Sequence, residues 1–344
     1  MRFLRDPLII STDKGLCCEA GGFYIDPHRP VERAIVTHAH SDHARRGSGA
    51  YLCEKSGAGL LRARLGSKIN VQTLQYGEKI RIGEVFVSLH SAGHILGSAQ
   101  IRVQRGADVW VASGDYKRDF DPSCTPFESV ACDTFITEAT FGTPKYVWDK
   151  NLEHGRMISE WWNKNAETGR NSVLFGYSLG KAQRILAELR SYAQRPVLIH
   201  ESISELTECY RREGVALAET ADLKAAVASG PLDGELILVP HSALSEAWAA
   251  ALKDHETAFA SGWMQNGGRS YGSGYDLGFV MSDHADWHDI NRTIDESGAS
   301  RVFVQHRNGV LVRHLRQRGI EAFPITELTP EAIEKADGPN LRLF

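Results

Sequence analysis

AIVTHAHSDHA, residues 34–44, places His38, His40, Asp42 and His43 directly behind an apolar run. If AIV ends a strand, alternation turns His38 and His40 to one side. The loop that follows brings Asp42 and His43 back toward the same space. Three imidazoles and a carboxylate so close together supply the mixed nitrogen and oxygen donors that borderline cations prefer. A solvated histidine-rich loop is the alternative, and it would need no buried strand in front of it.

The chain that carries this motif has 344 residues, so at about 150 residues per domain two modest cores or one large one are expected. Hydrophobic residues make up 42% and charged residues 24%, the balance of a globular protein in water. No stretch approaches the roughly 20 apolar residues of a membrane helix, so no membrane partner is expected. The N-terminal MRFLRDPLIISTDKG has neither the apolar run nor the cleavage site of a signal peptide. Lys and Arg number 39 against 43 Asp and Glu, a net charge of −4, so any surface for a polyanion must be local. The cysteines, Cys17, Cys18, Cys53, Cys124, Cys132 and Cys209, form no CxxC pair and read as reduced thiols of a cytoplasmic protein. The 14 histidines are the informative excess, because they cluster.

Along the first 140 or so residues, short β-type runs alternate with Gly, Asp and Asn: GFYIDP, AIVTHAH, KINVQTLQYG, EVFVSLH, AQIRVQ, DVWVASGD and DTFITEAT. Beyond Pro144 helical patterns (MISEWWNKNAE, KAQRILAELRSYA) alternate with single apolar strands (SVLFGY, PVLIH, ELILVP), the texture of βαβ units on a parallel sheet. After about Gly278 come GFVMSDHAD, a helix through DINRTIDESG, the strand RVFVQH and a last helix, VLVRHLRQRG. The middle segment therefore reads as an insertion into a domain whose last pieces lie at the C-terminus.

The HxHxDH string resembles the second motif of the metallo-β-lactamase superfamily, and the other motifs follow in order. Asp26 closes GFYID, as that fold's first acidic residue does in support of the metal loop. His94 in SAGHILGSAQ and Asp115 in VASGDY resemble the third and fourth motifs. Glu138 and Thr140 in TFITEATFG, then Asp283, His284 and Asp286 in FVMSDHAD, then His306 in VFVQHRNG, resemble the three motifs of the β-CASP nuclease branch. That branch has Gly after the last histidine; here Arg307 follows His306 and Gly309 comes later. YSLGKAQRILAEL, the Trp161–Trp162 pair, SGWM and SDHADW extend the resemblance over nearly the whole chain, to the bacterial ligase-associated DNA exonucleases, often labelled as relatives of messenger-RNA 3′-end processing factors.

The resemblance implies an α/β protein: a four-layer αββα metallo-β-lactamase sandwich of residues 1–143 and 279–344, with a small β-CASP-like α/β cap of residues 144–278. It implies two divalent metal ions, zinc or manganese, the first on His38, His40 and His94, the second on Asp42, His43 and His306, with Asp115 bridging. Two such cations activate a shared water as hydroxide and neutralise phosphate oxygens, the two-metal route to phosphodiester hydrolysis, in which Asp42 counts among the catalytic groups. His284, the motif histidine left over, is the candidate general acid, oriented by Glu138, with Asp26 and Thr140 in support. The activity implied is a metal-dependent DNA exonuclease of bacterial DNA repair, acting beside a helicase and an ATP-dependent DNA ligase. An RNA-processing nuclease and a catalytically inactive scaffold subunit are the alternatives.

SLGKAQR is a second candidate site. Strand, glycine and helix follow one another, so the first amides of the helix, with Ser178, Gly180, Lys181 and, one turn on, Arg184, would hold a backbone phosphate. Trp161 and Trp162 read as core by their amphipathic spacing, Trp263 as a stacking candidate. His90 lies four residues before His94, yet nothing in its spacing demands a role at the site.

Overall fold

The computed structural model describes residues 6–245, 247–250, 252, 254–266, 274–305 and 309–336. The chain divides into two compact units: one takes the chain up to Arg118, Pro126–Val147 and the part from His284 on, the other Asp119–Thr125 and Trp148–Asp283.

The first unit holds two sheets. One carries the strands Ile10–Thr12, Gly15–Cys18, Phe23–Ile25, Arg33–Ile35, Ala50–Glu54 and Val71–Leu74 side by side in chain order. The other runs Glu321–Pro324, Arg301–Val304, Thr134–Thr137, Asp108–Ala112, Ala99–Arg105, Val85–Ser91, Lys79–Ile82. Their inner faces share one core, in which Phe23, Ile25, Ile35 and Leu52 meet Val87, Leu89, Ile101, Trp110 and Phe303. Trp110 is wholly buried there, and burying a large side chain of this kind contributes about 1.5–3 kcal/mol.

A helix, Ala58–Leu65, covers the outer face of the first sheet, setting Leu61 and Leu65 on Ala34, Val36 and Tyr51. The helices Trp287–Ser297 and Gly309–Gln317 cover the second, with Ile290, Ile294, Leu311 and Leu315 on Val111, Phe135, Val302 and Val304. The layers are therefore α, β, β, α. Asp286 of the SDHAD motif caps the helix Trp287–Ser297, accepting from the Asp289 amide at 2.8 Å, and Gly298 ends it in the left-handed region at φ 65°.

The second unit has one all-parallel sheet, ordered Thr220–Asp222, Val197–Ile199, Leu236–Val239, Asn171–Phe175, His255–Ala260, Leu277–Phe279. Helices His154–Ala166, Lys181–Leu189 and Glu201–Arg212 pack on one face through Ile158, Trp162, Ile185, Leu189 and Ile203. Leu223 and Trp248 pack on the other. Strands covered on both faces read as continuous apolar runs, which is why VLF and LILV stand out in the sequence. The short hairpin Ile10–Thr12/Gly15–Cys18 and the helices Ala58–Leu65 and Glu201–Arg212 were not expected from the sequence. Three- and four-residue strands carry too little alternation to register, and Ala58–Leu65 shows little apolar periodicity, whereas Glu201–Arg212 buries Ile203, Leu206 and Tyr210 on one face, a periodicity that was available in the sequence.

Candidate metal centre

The site assembles where parallel strands end. Tyr24 pairs with Ala34 and Ile25 with Ile35, so Asp26 and Thr37 leave the first sheet at the same level. Ala112 pairs with Ile136 and Thr137 with Val304, which brings Asp115, Glu138 and the segment ending at Gln305 to one end of the second sheet. The loop after Val85–Ser91 adds His94. Gly114, at φ 56°, lies against Thr37, and a Cβ there would come within 2.7 Å of the threonine side chain, so Asp115 reaches the site only because its neighbour is glycine.

His38 Nε2 and His94 Nε2 each lie 3.1 Å from His40 Nδ1. Asp115 Oδ2 stands 3.5 Å from His38 Nε2 and 3.8 Å from His94 Nε2, and all four ligand atoms fall within 4.8 Å of one another. Donors about 2.1 Å from a tetrahedral cation are separated by about 3.4 Å along each edge, so these separations fit a bound ion. Burial, reinforced by His43 and His94, pushes the His38 imidazole well below the usual histidine range, into the neutral form that ligates metals.

Asp115 Oδ2 also lies 3.4 Å from His43 Nε2, and His43 Nε2 lies 3.7 Å from Asp42 Oδ2. Asp115 Oδ2 thus lies within 3.8 Å of His38, His94 and His43 at once. Burial disfavours charge on both Asp115 and His43. The His43 and His284 imidazoles outweigh it and hold the Asp115 carboxyl well below its usual range, while Asp115 and Asp26 hold His43 well above its own. The field favours positive charge between the two carboxylates. Asp42 and His43 line a cavity of about 190 Å³ with Asp26, Thr37, Gly114 and Gln305.

Asp26 organises this loop from a left-handed backbone conformation, φ 45°. Its carboxylate accepts from the Thr37 amide at 2.8 Å and the Thr37 hydroxyl at 2.6 Å, and lies 2.7 Å from His43 Nδ1. Thr37, which the sequence reading passed over, links both halves, its hydroxyl also lying 3.0 Å from His38 Nδ1. Its place between the strand and the first histidine was the available signal. Asp26→Ala is expected to lower metal affinity about 10–100-fold, the usual cost of losing a partner behind a ligand. Titration against a chromogenic chelator measures it, with far-ultraviolet circular dichroism to check the fold.

A second group, Asp115, Glu138 and His284, adjoins the first. Glu138 is wholly buried. Its Oε1 lies 3.0 Å from His284 Nδ1 and accepts from the Tyr116 amide at 3.0 Å, while Oε2 accepts from the Thr140 amide at 3.1 Å. The imidazole of His284 lies against that of His94, ring centroids 4.8 Å apart. His306 and Arg307 lie outside the described residues.

In the SLGKAQR segment both cationic side chains have partners within the second unit. Lys181 is 1% exposed, and its ammonium donates to the Met281 carbonyl at 2.5 Å and to Asp283 Oδ1 at 2.7 Å. Arg184 donates to Glu188 at 2.9 Å and to the Ser282 carbonyl at 2.5 Å. The Gly180 amide donates to Gln183 Oε1 at 2.8 Å, and the Ser178 hydroxyl lies 3.3 Å from that of Ser202. Both cations are engaged inside the second unit by buried acceptors, an arrangement that leaves them little charge to offer a backbone phosphate. His90 is occupied by Glu128 and Ser88, each at 2.9 Å. Trp161 and Trp162 are buried, their indole N–H groups donating to Glu256 at 2.6 Å and to the Gly234 carbonyl at 2.9 Å.

An αββα sandwich with a His38, His40, His94, Asp115 cluster at its strand ends defines the metallo-β-lactamase superfamily. No family model matches the chain. A protein named Probable DNA ligase from Opitutus terrae is 32% identical over 324 residues, covering 93% of this chain and 31% of that protein. Endoribonuclease YSH1 from Yarrowia lipolytica is 28% identical over 124 residues, covering 36% of this chain and 15% of that protein. The chain thus spans about a third or less of the length of these curated relatives. A crystal structure of a protein of unknown function from Enterococcus faecalis V583 superposes with a TM-score of 0.54 at 13% identity, covering 79% of this chain and 74% of that one, a likeness of fold. The fold and the cluster resemble those of the β-CASP branch of the metallo-β-lactamase superfamily.

Proposed function

We propose that the protein is a metal-dependent nuclease that hydrolyses DNA phosphodiester bonds as an exonuclease in bacterial DNA repair. The observation that carries this is the convergence of the His38, His40, His94, Asp115 cluster on the Glu138–His284 pair, which puts metal donors and a carboxylate-oriented imidazole around one point. The first metal ion, zinc or manganese, would be held by His38, His40, His94 and Asp115. Asp42, His43 and Asp115 would hold the second, and the family resemblance adds His306. When bound, the two cations supply an activated water and neutralise phosphate charge. Glu138 engages Nδ1 of His284, so Nε2 is the nitrogen that hands a proton to the departing oxygen. Asp26 and Thr37 hold the histidine loop.

The second unit is read as the cap of the β-CASP branch, which binds the nucleic acid. DNA is favoured over RNA because the likeness to the ligase-named protein runs over 93% of the chain and the likeness to the endoribonuclease over 36%. The same likeness supports action beside an ATP-dependent DNA ligase, in the cytoplasm. The inactive-scaffold reading is disfavoured, because His38, His40, His94 and Asp115 bring ligand atoms within 4.8 Å of one another. The test is digestion, with zinc or manganese added, of DNA and RNA strands of one sequence labelled separately at each end. Stepwise release from one end of DNA is expected. Preferential cutting of RNA would move the substrate class, and no cleavage of either strand by metal-loaded protein would overturn the nuclease reading.

A further inference from the structure

Four consecutive residues in front of His284 are held by cationic or aromatic side chains of two helices of the second unit. His154 Nε2 lies 2.8 Å from the Val280 carbonyl. Lys181 donates to the Met281 carbonyl at 2.5 Å, and Arg184 to the Ser282 carbonyl at 2.5 Å. Asp283 Oδ1 takes Lys181 at 2.7 Å and lies 3.6 Å from Arg184 Nη1. The last strand of that sheet has already ended at Phe279, so side chains take over the backbone acceptors that a sheet would otherwise satisfy.

Burying a lysine and an arginine is costly, and plain packing would be served as well by apolar residues. The cost is offset by Asp283 on one side and by Glu188 and Asp121 on the other, 2.9 Å and 3.6 Å from Arg184 Nε. What this set of charges does that apolar residues cannot is fix the path of 280–283 carbonyl by carbonyl. The chain leaves the second unit at Asp283, and the next residue is His284. Beyond it, the Ala285 amide donates to the Tyr116 carbonyl at 2.7 Å and Asp286 caps a helix. His284 therefore sits on a short piece of backbone held on both sides.

We propose that Lys181 and Arg184 are positioning residues for His284, gripping Met281, Ser282 and Asp283 so that its imidazole is presented at a fixed depth and angle. The proposal rests on the reading of His284 as proton donor. It requires that loss of the grip harm the step in which the leaving oxygen takes a proton, and spare a substrate whose leaving group departs as its own anion.

The experiment compares wild type, Lys181→Met, the charge-balanced pair Lys181→Met with Asp283→Asn, and His284→Ala, all in the metal-loaded full chain. Each is assayed on a DNA strand and on the p-nitrophenyl ester of thymidine 5′-phosphate, with bound metal and thermal melting measured in parallel. The double variant removes both buried charges together and serves if the single one fails to fold. Both lysine variants are expected to lose kcat on DNA by about 10²-fold, with KM, metal content and p-nitrophenyl ester turnover close to wild type. Equal loss on both substrates, or no loss on either, overturns the proposal. So does weaker DNA binding with a shallower salt dependence, which would restore the phosphate clasp. If His284→Ala itself shows no preference between the substrates, the proton-donor reading fails and the proposal with it. If His284→Ala is selective and the lysine variants are not, only the proposal fails.

Discussion

Asp115→Ala is expected to abolish cleavage and to lower bound metal while leaving the fold largely intact. Asp115 Oδ2 lies between 3.4 and 3.8 Å from His38, His43 and His94 at once, so one carboxylate oxygen is within reach of donors expected for both ions. Without it the first group keeps three imidazoles and loses its carboxylate. The loss in metal affinity should exceed the roughly 10–100-fold that follows removal of an outer partner, and activity should fall with occupancy. Metal counted by plasma emission spectrometry, beside rates at saturating metal, separates failure to bind from failure to react. A folded variant with near-normal metal and turnover would sink the assignment of Asp115 to both ions.

For His284→Ala the expected outcome is the reverse pairing: metal content stays, and the rate on an ordinary phosphodiester falls about 10²–10⁴-fold, the usual weight of a positioned proton donor. The reason lies in its neighbours. Its Nδ1 is taken up by Glu138 Oε1 at 3.0 Å, and that carboxylate is itself fixed by the amides of Tyr116 and Thr140. A side chain so oriented delivers one nitrogen to one place. Loss of metal in this variant would instead make His284 a ligand.

The local members of the cluster were readable because HxHxDH packs its donors into one strand exit and the first turn of one loop, where spacing alone sets direction. Likewise, the apolar runs VLF and LILV announced a parallel sheet, because a strand buried on both faces must be apolar at every position. Short strands such as Ile10–Thr12 and the helix Ala58–Leu65 stayed hidden, since neither carries enough periodicity over its length.

SLGKAQR shows where such reading stops. A glycine followed by a helix with lysine and arginine in its first turn looks the same whether its charges meet a ligand or a buried carboxylate. Its cations meet partners 98 to 102 residues away, Met281, Ser282 and Asp283, which no local pattern announces. The Glu138–His284 pairing spans 146 residues, and its geometry exists only once the parallel strands Asp108–Ala112 and Thr134–Thr137 set their ends level. By itself the sequence determined the order of the candidate donors along the chain and the alternation of strands and helices, since residue chemistry and local periodicity are properties of neighbours along the chain; the layered class was implied by the family resemblance. Which charges lie buried and what each one grips depended on long-range packing, because desolvation and pairing are set by atoms brought together from distant segments.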